Sequence, residues 1–285
     1  MAVSAQDVKK LRDETGAPMG ECKSALEEAG NDFERAKQIL REKGAAAATK
    51  RAGRGTSEGV AIVVANSDNT KVGGCVVECE TDFVSKNDAF VELAKKIAEA
   101  FLNNDPGNDP LAVVAADGKT VGTLIEECVG LFRENTKLTK WLHGSNPNGY
   151  GVYVHHDKKH ACAVEMAGDS SENMAAGKNV AMQVVALKPT FLKKEDIPAE
   201  VIQAEYETQK KRALDEGKPE NIAENIAKGR VNKEFFSEAV LLEQPFYLDN
   251  KKTVGAYVTE ATGGKGSVTA FHYLYVGGTQ GTDED

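Results

Sequence analysis

Two segments of the sequence are similar to each other and decide the fold: residues 59–78 (GVAIVVANSDNTKVGGCVVE) and residues 151–165 (GVYVHHDKKHACAVE). Each has two apolar runs joined by polar turn residues, which is the pattern of a β-hairpin. Each is followed by a helical pattern, FVELAKKIA in residues 90–98 and GKNVAMQVV in residues 177–185. The aligned positions keep one constant offset. The sequence therefore predicts two copies of a hairpin followed by a helix.

Composition limits the class of protein. The chain has 285 residues and 41% hydrophobic residues, enough to bury a core, and a net charge of −9. An acidic chain is a poor nonspecific ligand for nucleic acid, which requires clustered lysine and arginine. No apolar run is long enough to span a membrane, and residues 1–7 lack the features of a signal peptide. We therefore expect a cytoplasmic protein whose partner is another protein, with no direct contact to nucleic acid or membrane.

The cysteines give no disulfide or zinc pattern. There is an odd number of them, they are scattered, and none forms a CxxC pair. We expect reduced and mostly buried thiols: Cys22, Cys75, Cys79, Cys128 and Cys162.

The predicted fold class is α+β. Glycines at 16, 30 and 44 end three short N-terminal helices, and the linker that follows starts with alanines, which suit a helical beginning. The predicted parts are a three-helix domain (1–44), a linker (45–58), core subdomain 1 (59–140), core subdomain 2 (141–194 and 238–285), and an antiparallel helical hairpin (195–237) inserted in the second subdomain.

Within these parts, several elements have their own signals. Thr120 opens a helix, and residues 138–142 and 267–276 are predicted strands, with a loose acidic tail at 277–285. The two helices of the hairpin share only a thin apolar stripe, which is typical of helices that pack on each other and are otherwise solvated. The stripe consists of Val201, Ile202, Tyr206, Ala213, Ile222 and Ile226.

The stretch CETDFVSKND, residues 79–88, joins the first predicted hairpin to its helix. Ser85 with Asp88 three residues later is a capping-box pattern, so the helix is predicted to start near Ser85, with Val84 packing on Ala89 as a hydrophobic staple. Phe83 has no such local role. Either it folds under the hairpin as core, or it is held out for a partner.

The second copy helps to choose between these alternatives. Where the first copy has Thr81, Asp82, Phe83 and Val84, the second has residues 168–171, Gly-Asp-Ser-Ser. The fold does not need a phenylalanine at this point, which favours a functional role for Phe83.

Enzymatic chemistry has no specific support in the sequence. Residues 263–267 (GGKGS) lack the spacing of a phosphate-binding loop and precede a predicted strand where a helix is required. His155, His156 and His160 could bind a metal, but they have no nearby paired cysteines or carboxylates at helical spacing, so surface histidines are the simpler interpretation. We expect no enzyme activity, no metal and no cofactor.

Three long stretches resemble one family. They are VKKLRDETGAPMGECKSALEEAGNDFERA (residues 8–36), ECETDFVSKNDAF (residues 78–90) and GKPENIAENIAKGRVNKEFFSEAVLLEQPF (residues 217–246). Their order and spacing are similar to those of elongation factor Ts, the guanine-nucleotide exchange factor of elongation factor Tu. The weaker similarity covers nearly the whole chain.

This resemblance implies a ubiquitin-associated-like (UBA-like) domain at the N-terminus, a core of two related α/β subdomains with antiparallel sheets, and a coiled-coil hairpin. It implies that elongation factor Tu is the partner, and that the family's Thr-Asp-Phe-Val motif, here Thr81, Asp82, Phe83 and Val84, disturbs the partner's magnesium site. Further implied partner contacts are Arg12, Met19 and His143.

A rival function of a different class stays open at this point. A plain interaction scaffold could use the N-terminal helices to bind a ligand and the hairpin as a spacer. Binding of elongation factor Tu that is abolished by excess GDP would favour the exchange factor, and binding indifferent to nucleotide would favour the scaffold.

Overall fold

The computed structural model of the chain describes residues 3–15 and 17–277. The predicted helix end at Gly16 and residues 278–285 of the predicted acidic tail lie outside these ranges. Three helices come first: α1 (Ala5–Thr15), α2 (Met19–Glu28) and α3 (Phe33–Arg51). They bury a small core of Val8, Leu11, Cys22, Ala25, Leu26, Ala36 and Ile39. Their likeness to a UBA domain stays a prediction.

The first subdomain is a three-stranded antiparallel sheet covered by helices. Its strands are β1 (Glu58–Ala65), β2 (Lys71–Cys79) and β3 (Lys137–Ser145), in the order β1-β2-β3, and its helices are α4 (Asp82–Ser85), α5 (Asp88–Asn103) and α6 (Val121–Phe132). As predicted, Thr120 caps α6, accepting a hydrogen bond from the Thr123 N–H. Phe90, Ile97 and Phe101 of α5 are fully buried against β1 and β2.

The predicted boundary between residues 140 and 141 is wrong, because it cuts through β3. This strand pairs with β2 along its whole length, from Lys137 opposite Glu78 to Ser145 opposite Lys71. Backbone pairing thus keeps residues up to Ser145, including His143, in the first sheet.

The second subdomain repeats the first. Strands β4 (Tyr150–Val154) and β5 (His160–Ala167) form a hairpin, α7 (Asn173–Leu187) follows, and the last strand, β8 (Ser267–Tyr275), pairs with β5 as β3 pairs with β2. The predicted duplication is confirmed. The two sheets pack face to face through a shared apolar core, with α5 and α7 on the outer faces. That core consists of Ala61, Val63, Val72, Val76, Leu142, Tyr150, Ala161, Ala163 and Leu274.

The inserted region consists of α8 (Ala199–Asp215), α9 (Glu220–Arg230), a π-helical turn (Val231–Phe235) and α10 (Phe236–Ala239). The chain then returns through a short hairpin of β6 (Pro245–Phe246) and β7 (Asp249–Thr253), followed by α11 (Val254–Ala261). All of these elements lie between α7 and β8 of the second subdomain.

The predicted apolar stripe between α8 and α9 is wrong in part. The buried residues of the two helices are alanines, at 213, 223 and 227, whereas Val201 and Ile222 are exposed. Val201 and Ile222 are thus left outside the contact, whereas Ile202 and Tyr206 of the predicted stripe are partly buried against a cluster that contains Val231 and Phe236. Ion pairs of Lys210 with Glu220 and Glu224 accompany the contact between α8 and α9.

The predicted end of the third helix at Gly44 is also wrong, since α3 continues to Arg51 and contains most of the predicted linker. Here α3 packs on α6, and a Cβ on Gly130 would lie 3.5 Å from the Gly44 Cα. A Cβ at Gly44 would lie 3.7 Å from the Glu126 carbonyl oxygen, an ordinary contact distance, so Gly44 is a point within α3 where the helix meets α6.

Two further expectations concern the whole described chain. All five cysteines are free and buried, as predicted. No helix within the described residues has the length and apolar character needed to cross a membrane.

Candidate functional site

The turn after β2 is a separate short helix, α4. Thr81 precedes it with an extended backbone, and α5 begins only at Asp88. The prediction that Ser85 caps α5 is wrong. Asn87 is the cap, since its side chain accepts a hydrogen bond from the Ala89 N–H at 2.9 Å, whereas the Ser85 hydroxyl donates to the Asp82 carbonyl at 3.3 Å. Val84 of this extra helical turn is buried in the core.

Phe83 lies on the outer side of this turn. Its side chain is 85% exposed, whereas its neighbour Val84 is only 6% exposed and packs with the first core cluster. The alternative that Phe83 folds under the hairpin is therefore wrong. The buried Val84 and Ser85 hold the short helix against the core, so the phenylalanine ring is presented to solvent on a well-anchored backbone.

Asp82 is half-buried and lies beside Lys86. The Lys86 ammonium donates to the Asp82 carboxylate at 2.6 Å. This hydrogen bond and the lysine charge hold the pKa of Asp82 below its usual range, so the carboxylate is anionic at neutral pH. The polar group next to the exposed ring is therefore negatively charged and oriented along α4.

Thr81 is turned inward. Its hydroxyl donates to the Glu134 carboxylate at 2.5 Å, and its backbone N–H donates to the other carboxylate oxygen at 2.9 Å. Of the four motif residues, Thr81 and Val84 hold the turn in place while Asp82 and Phe83 face outward. Glu134 was missed by sequence reasoning because no local signal connects it to a turn 53 residues away.

The other predicted contact residues lie elsewhere. Arg12 is exposed at the end of α1, and Met19, the first residue of α2, is 51% exposed. His143 is half-buried on β3, with its Nδ1 2.6 Å from the Phe101 carbonyl oxygen. Because Phe83 precedes the start of α5 and His143 is bonded near its end, the length of α5 places them roughly 20 Å apart. Phe83 and His143 therefore do not share one pocket, and the partner contacts stay a prediction.

The histidines at 155 and 160 are hydrogen-bonded to tyrosines. The Tyr153 hydroxyl lies 2.9 Å from His155 Nδ1, and the Tyr273 hydroxyl lies 2.7 Å from His160 Nδ1. Within residues 3–15 and 17–277, no group of three histidine, cysteine, aspartate or glutamate side chains is placed to hold a metal ion. The GGKGS stretch forms a turn that leads into β8. The structure thus adds no support for a metal-dependent enzyme.

Comparison with known proteins gives a consistent result. The family model described as Elongation factor TS matches residues 80–278. The chain is 40% identical over 272 residues to elongation factor Ts of Aquifex aeolicus, covering 92% of this chain and 93% of that protein. Identity to elongation factor Ts of Amoebophilus asiaticus is 41% over 266 residues, covering 93% and 95%. For that of Desulfovibrio desulfuricans it is 39% over 285 residues, covering 96% and 98%. The chain therefore belongs to the elongation factor Ts family, whose members are translation elongation factors.

Proposed function

We propose that this protein is the guanine-nucleotide exchange factor of a cytoplasmic elongation factor Tu and accelerates its release of GDP. The observation that carries this proposal is the 85% exposed ring of Phe83 on a turn whose neighbours are buried. An exposed phenylalanine is apolar surface left in water, and a pocket on another molecule would remove it from water. Membership of the family supplies the identity of that molecule.

In this proposal Phe83 enters the GTPase domain of the partner and Asp82 engages polar groups beside it. A GTPase holds its nucleotide through magnesium and surrounding backbone groups, and magnesium requires near-ideal octahedral geometry. Small displacements of the elements that hold the ion therefore weaken nucleotide binding. The protein makes and breaks no covalent bond in this cycle, so it acts as an exchange factor and not as an enzyme, and it requires no cofactor of its own.

The cycle closes because coupling between two ligands is reciprocal. A factor that weakens the binding of nucleotide is itself weakened by nucleotide to the same extent, so incoming GTP expels it. Burial of one phenylalanine supplies roughly 1.5–3 kcal/mol, and each tenfold loosening needs about 1.4 kcal/mol. Phe83 alone therefore accounts for one to two powers of ten. We propose that Arg12, Met19 and His143 supply further binding energy at separate points.

The test is the release of fluorescent GDP from elongation factor Tu in a stopped-flow instrument. Stimulated release, together with a complex that is dissociated by excess GDP, is the expected result. Binding that is indifferent to nucleotide and leaves GDP release unchanged would instead support a scaffold. Direct nucleic-acid binding is not part of the proposal, and the net charge of −9 argues against it.

A further inference from the structure

Glu134 holds the turn that carries Phe83. One of its carboxylate oxygens accepts the backbone N–H groups of Glu80 and Thr81, at 3.1 and 2.9 Å, and the other accepts the Thr81 hydroxyl at 2.5 Å. Hydrogen bonds to an ionised group are about twice as strong as neutral ones. A single carboxylate thus fixes two consecutive backbone amides immediately before α4.

The connection runs in both directions. The residue after Glu134, Asn135, donates its backbone N–H to the Glu80 carboxylate at 2.6 Å. The backbone N–H of Glu80 therefore donates to the Glu134 carboxylate, while the side-chain carboxylate of Glu80 accepts the backbone N–H of Asn135. Arg133, with a left-handed φ of +61°, ends α6 and turns the chain toward this contact. The end of β2 and the end of α6 are tied together at two points.

The same short segment also contacts the N-terminal part of the chain. The Asn135 side chain donates to the Arg54 carbonyl at 2.6 Å, and the Arg54 guanidinium lies 3.4 Å from the Glu80 carboxylate. Arg133 forms an ion pair with Glu21 of α2, two residues from the exposed Met19. Residues 133–135 therefore touch the Phe83 turn, the segment after α3, and the helix that carries a second proposed partner contact.

We propose that Glu134 is a positioning residue for exchange. With Arg133 and Asn135 it fixes the direction of Phe83 relative to the N-terminal helices, so that both surfaces meet one partner at the same time. This inference rests on the proposed function, because it assigns Glu134 a role in aligning the ring that acts on elongation factor Tu. The Glu134 carboxylate is occupied by Glu80 and Thr81, so the role proposed for it is to position the ring and not to bind the partner.

The consequence for kinetics is specific. Without the carboxylate the protein should still bind through its other surfaces, but the ring should be poorly aligned at the moment of release. We expect Glu134→Ala to lower the maximal rate of GDP release at saturating factor by about tenfold, which is within the loss expected for removal of Phe83 itself. The concentration of this protein that gives half-maximal release should change by less than about threefold, because the lost interaction affects the release step and not the binding of the partner.

Three comparisons separate positioning from general damage. Glu134→Gln keeps one carbonyl oxygen for the two amides, and the Thr81 hydroxyl can rotate to accept from the new NH₂ group, so most of the rate should be retained. Glu126→Ala removes an exposed glutamate from α6, the helix that ends just before Glu134, and should behave like the parent. In a Phe83→Ala background, Glu134→Ala should have little further effect, because two residues that act through one ring are not additive.

Amide hydrogen exchange at Glu80 and Thr81 measures their hydrogen bonds to Glu134 in the absence of the partner. Glu134→Ala should speed exchange at these two amides, while the central amides of β2 keep their protection. If Glu134→Ala loses its cooperative thermal transition, Thr81→Val, which removes only the hydroxyl donor, serves instead, with an expected loss of about threefold.

The possible failures can be told apart. A parent protein that does not stimulate GDP release overturns the proposed function and the positioning role with it. If the parent is active and Glu134→Ala stimulates GDP release to the same maximal rate, the positioning role alone is overturned. Equal losses from Glu134→Ala with and without Phe83 would show that Glu134 does not act through the ring, and would also overturn it.

Discussion

Phe83→Ala should leave the protein folded and slow the release of GDP from elongation factor Tu. The ring is 85% exposed, so only about 15% of its surface is removed from water on folding. Full burial of a phenylalanine is worth roughly 1.5–3 kcal/mol, so the free energy of unfolding should fall by only about 0.2–0.5 kcal/mol. The remaining surface, buried in a partner, corresponds to about 1.3–2.6 kcal/mol, or about a tenfold to eightyfold slower release.

The assay is stopped-flow release of fluorescent GDP at saturating factor, with thermal unfolding of each variant measured in parallel. Leu248→Ala is the matched control, because Leu248 is also a large apolar residue, is 66% exposed, and lies in the second subdomain. Phe83→Ser, which installs the residue found at the equivalent position of the second copy, should behave like Phe83→Ala. If both Phe83 variants stimulate GDP release as fast as the parent, or if either has a thermal midpoint lowered by many degrees, this prediction is contradicted.

Three other predictions concern the fold. A Cβ at Gly151 would lie 2.0 Å from the Gly177 carbonyl carbon, so Gly151→Ala should lower the free energy of unfolding by about 1–3 kcal/mol. Gly229 has open space around it in α9, so Gly229→Ala should raise the free energy of unfolding by up to about 1 kcal/mol. Thermal midpoints equal to that of the parent would contradict both. Burial lowers the pKa of His160 and of His272, so the unfolded chain binds protons more readily than the folded one. The contribution of these two histidines to the free energy of unfolding should therefore be fully present above about pH 6.5 and should be lost as the pH falls toward their pKa values in the folded protein. A thermal midpoint that rises when the pH is lowered from 7.5 to 5.5 would contradict this. Burial raises the pKa of Cys79 and of Cys128 to about 12, so a thiol reagent at pH 8 should modify the five cysteines slowly until guanidinium unfolds the chain; rapid modification of the native protein would disagree.

The duplicated hairpins could be predicted from the sequence because hairpin pairing and helix periodicity are local. Comparing the copies also indicated that Phe83 is dispensable for folding, and its exposure agrees with that. The choice between Ser85 and Asn87 as helix cap could not be made locally, since both have short polar side chains suited to capping. In the structure Asn87 is the cap, and the turn before it is a separate helix whose Val84 is buried in the core, a tertiary contact.

The remaining errors have the same origin. Gly44 carries the usual signal for a helix end, but α3 continues past it to Arg51 and packs on α6, a tertiary contact that lies outside any local window of sequence. The boundary of the first subdomain depends on the pairing of β3 with β2, which are more than fifty residues apart along the chain. Glu134 accepts its hydrogen bond from Thr81 over a similar separation, and no pattern within a window of sequence could reveal it.

The proposed function requires that Phe83 of the free protein lies in water and that its ring enters a pocket on the partner only in the complex. Fluorine NMR of the protein with a single 4-fluorophenylalanine at position 83 tests it directly, because the shift between H₂O and D₂O reports whether the ring is in contact with solvent. We expect a solvent-exposed signal in the free protein, a shielded one after addition of nucleotide-free elongation factor Tu, and return of the first signal with excess GDP. A ring that is shielded in the free protein, or still exposed in the complex, would contradict it.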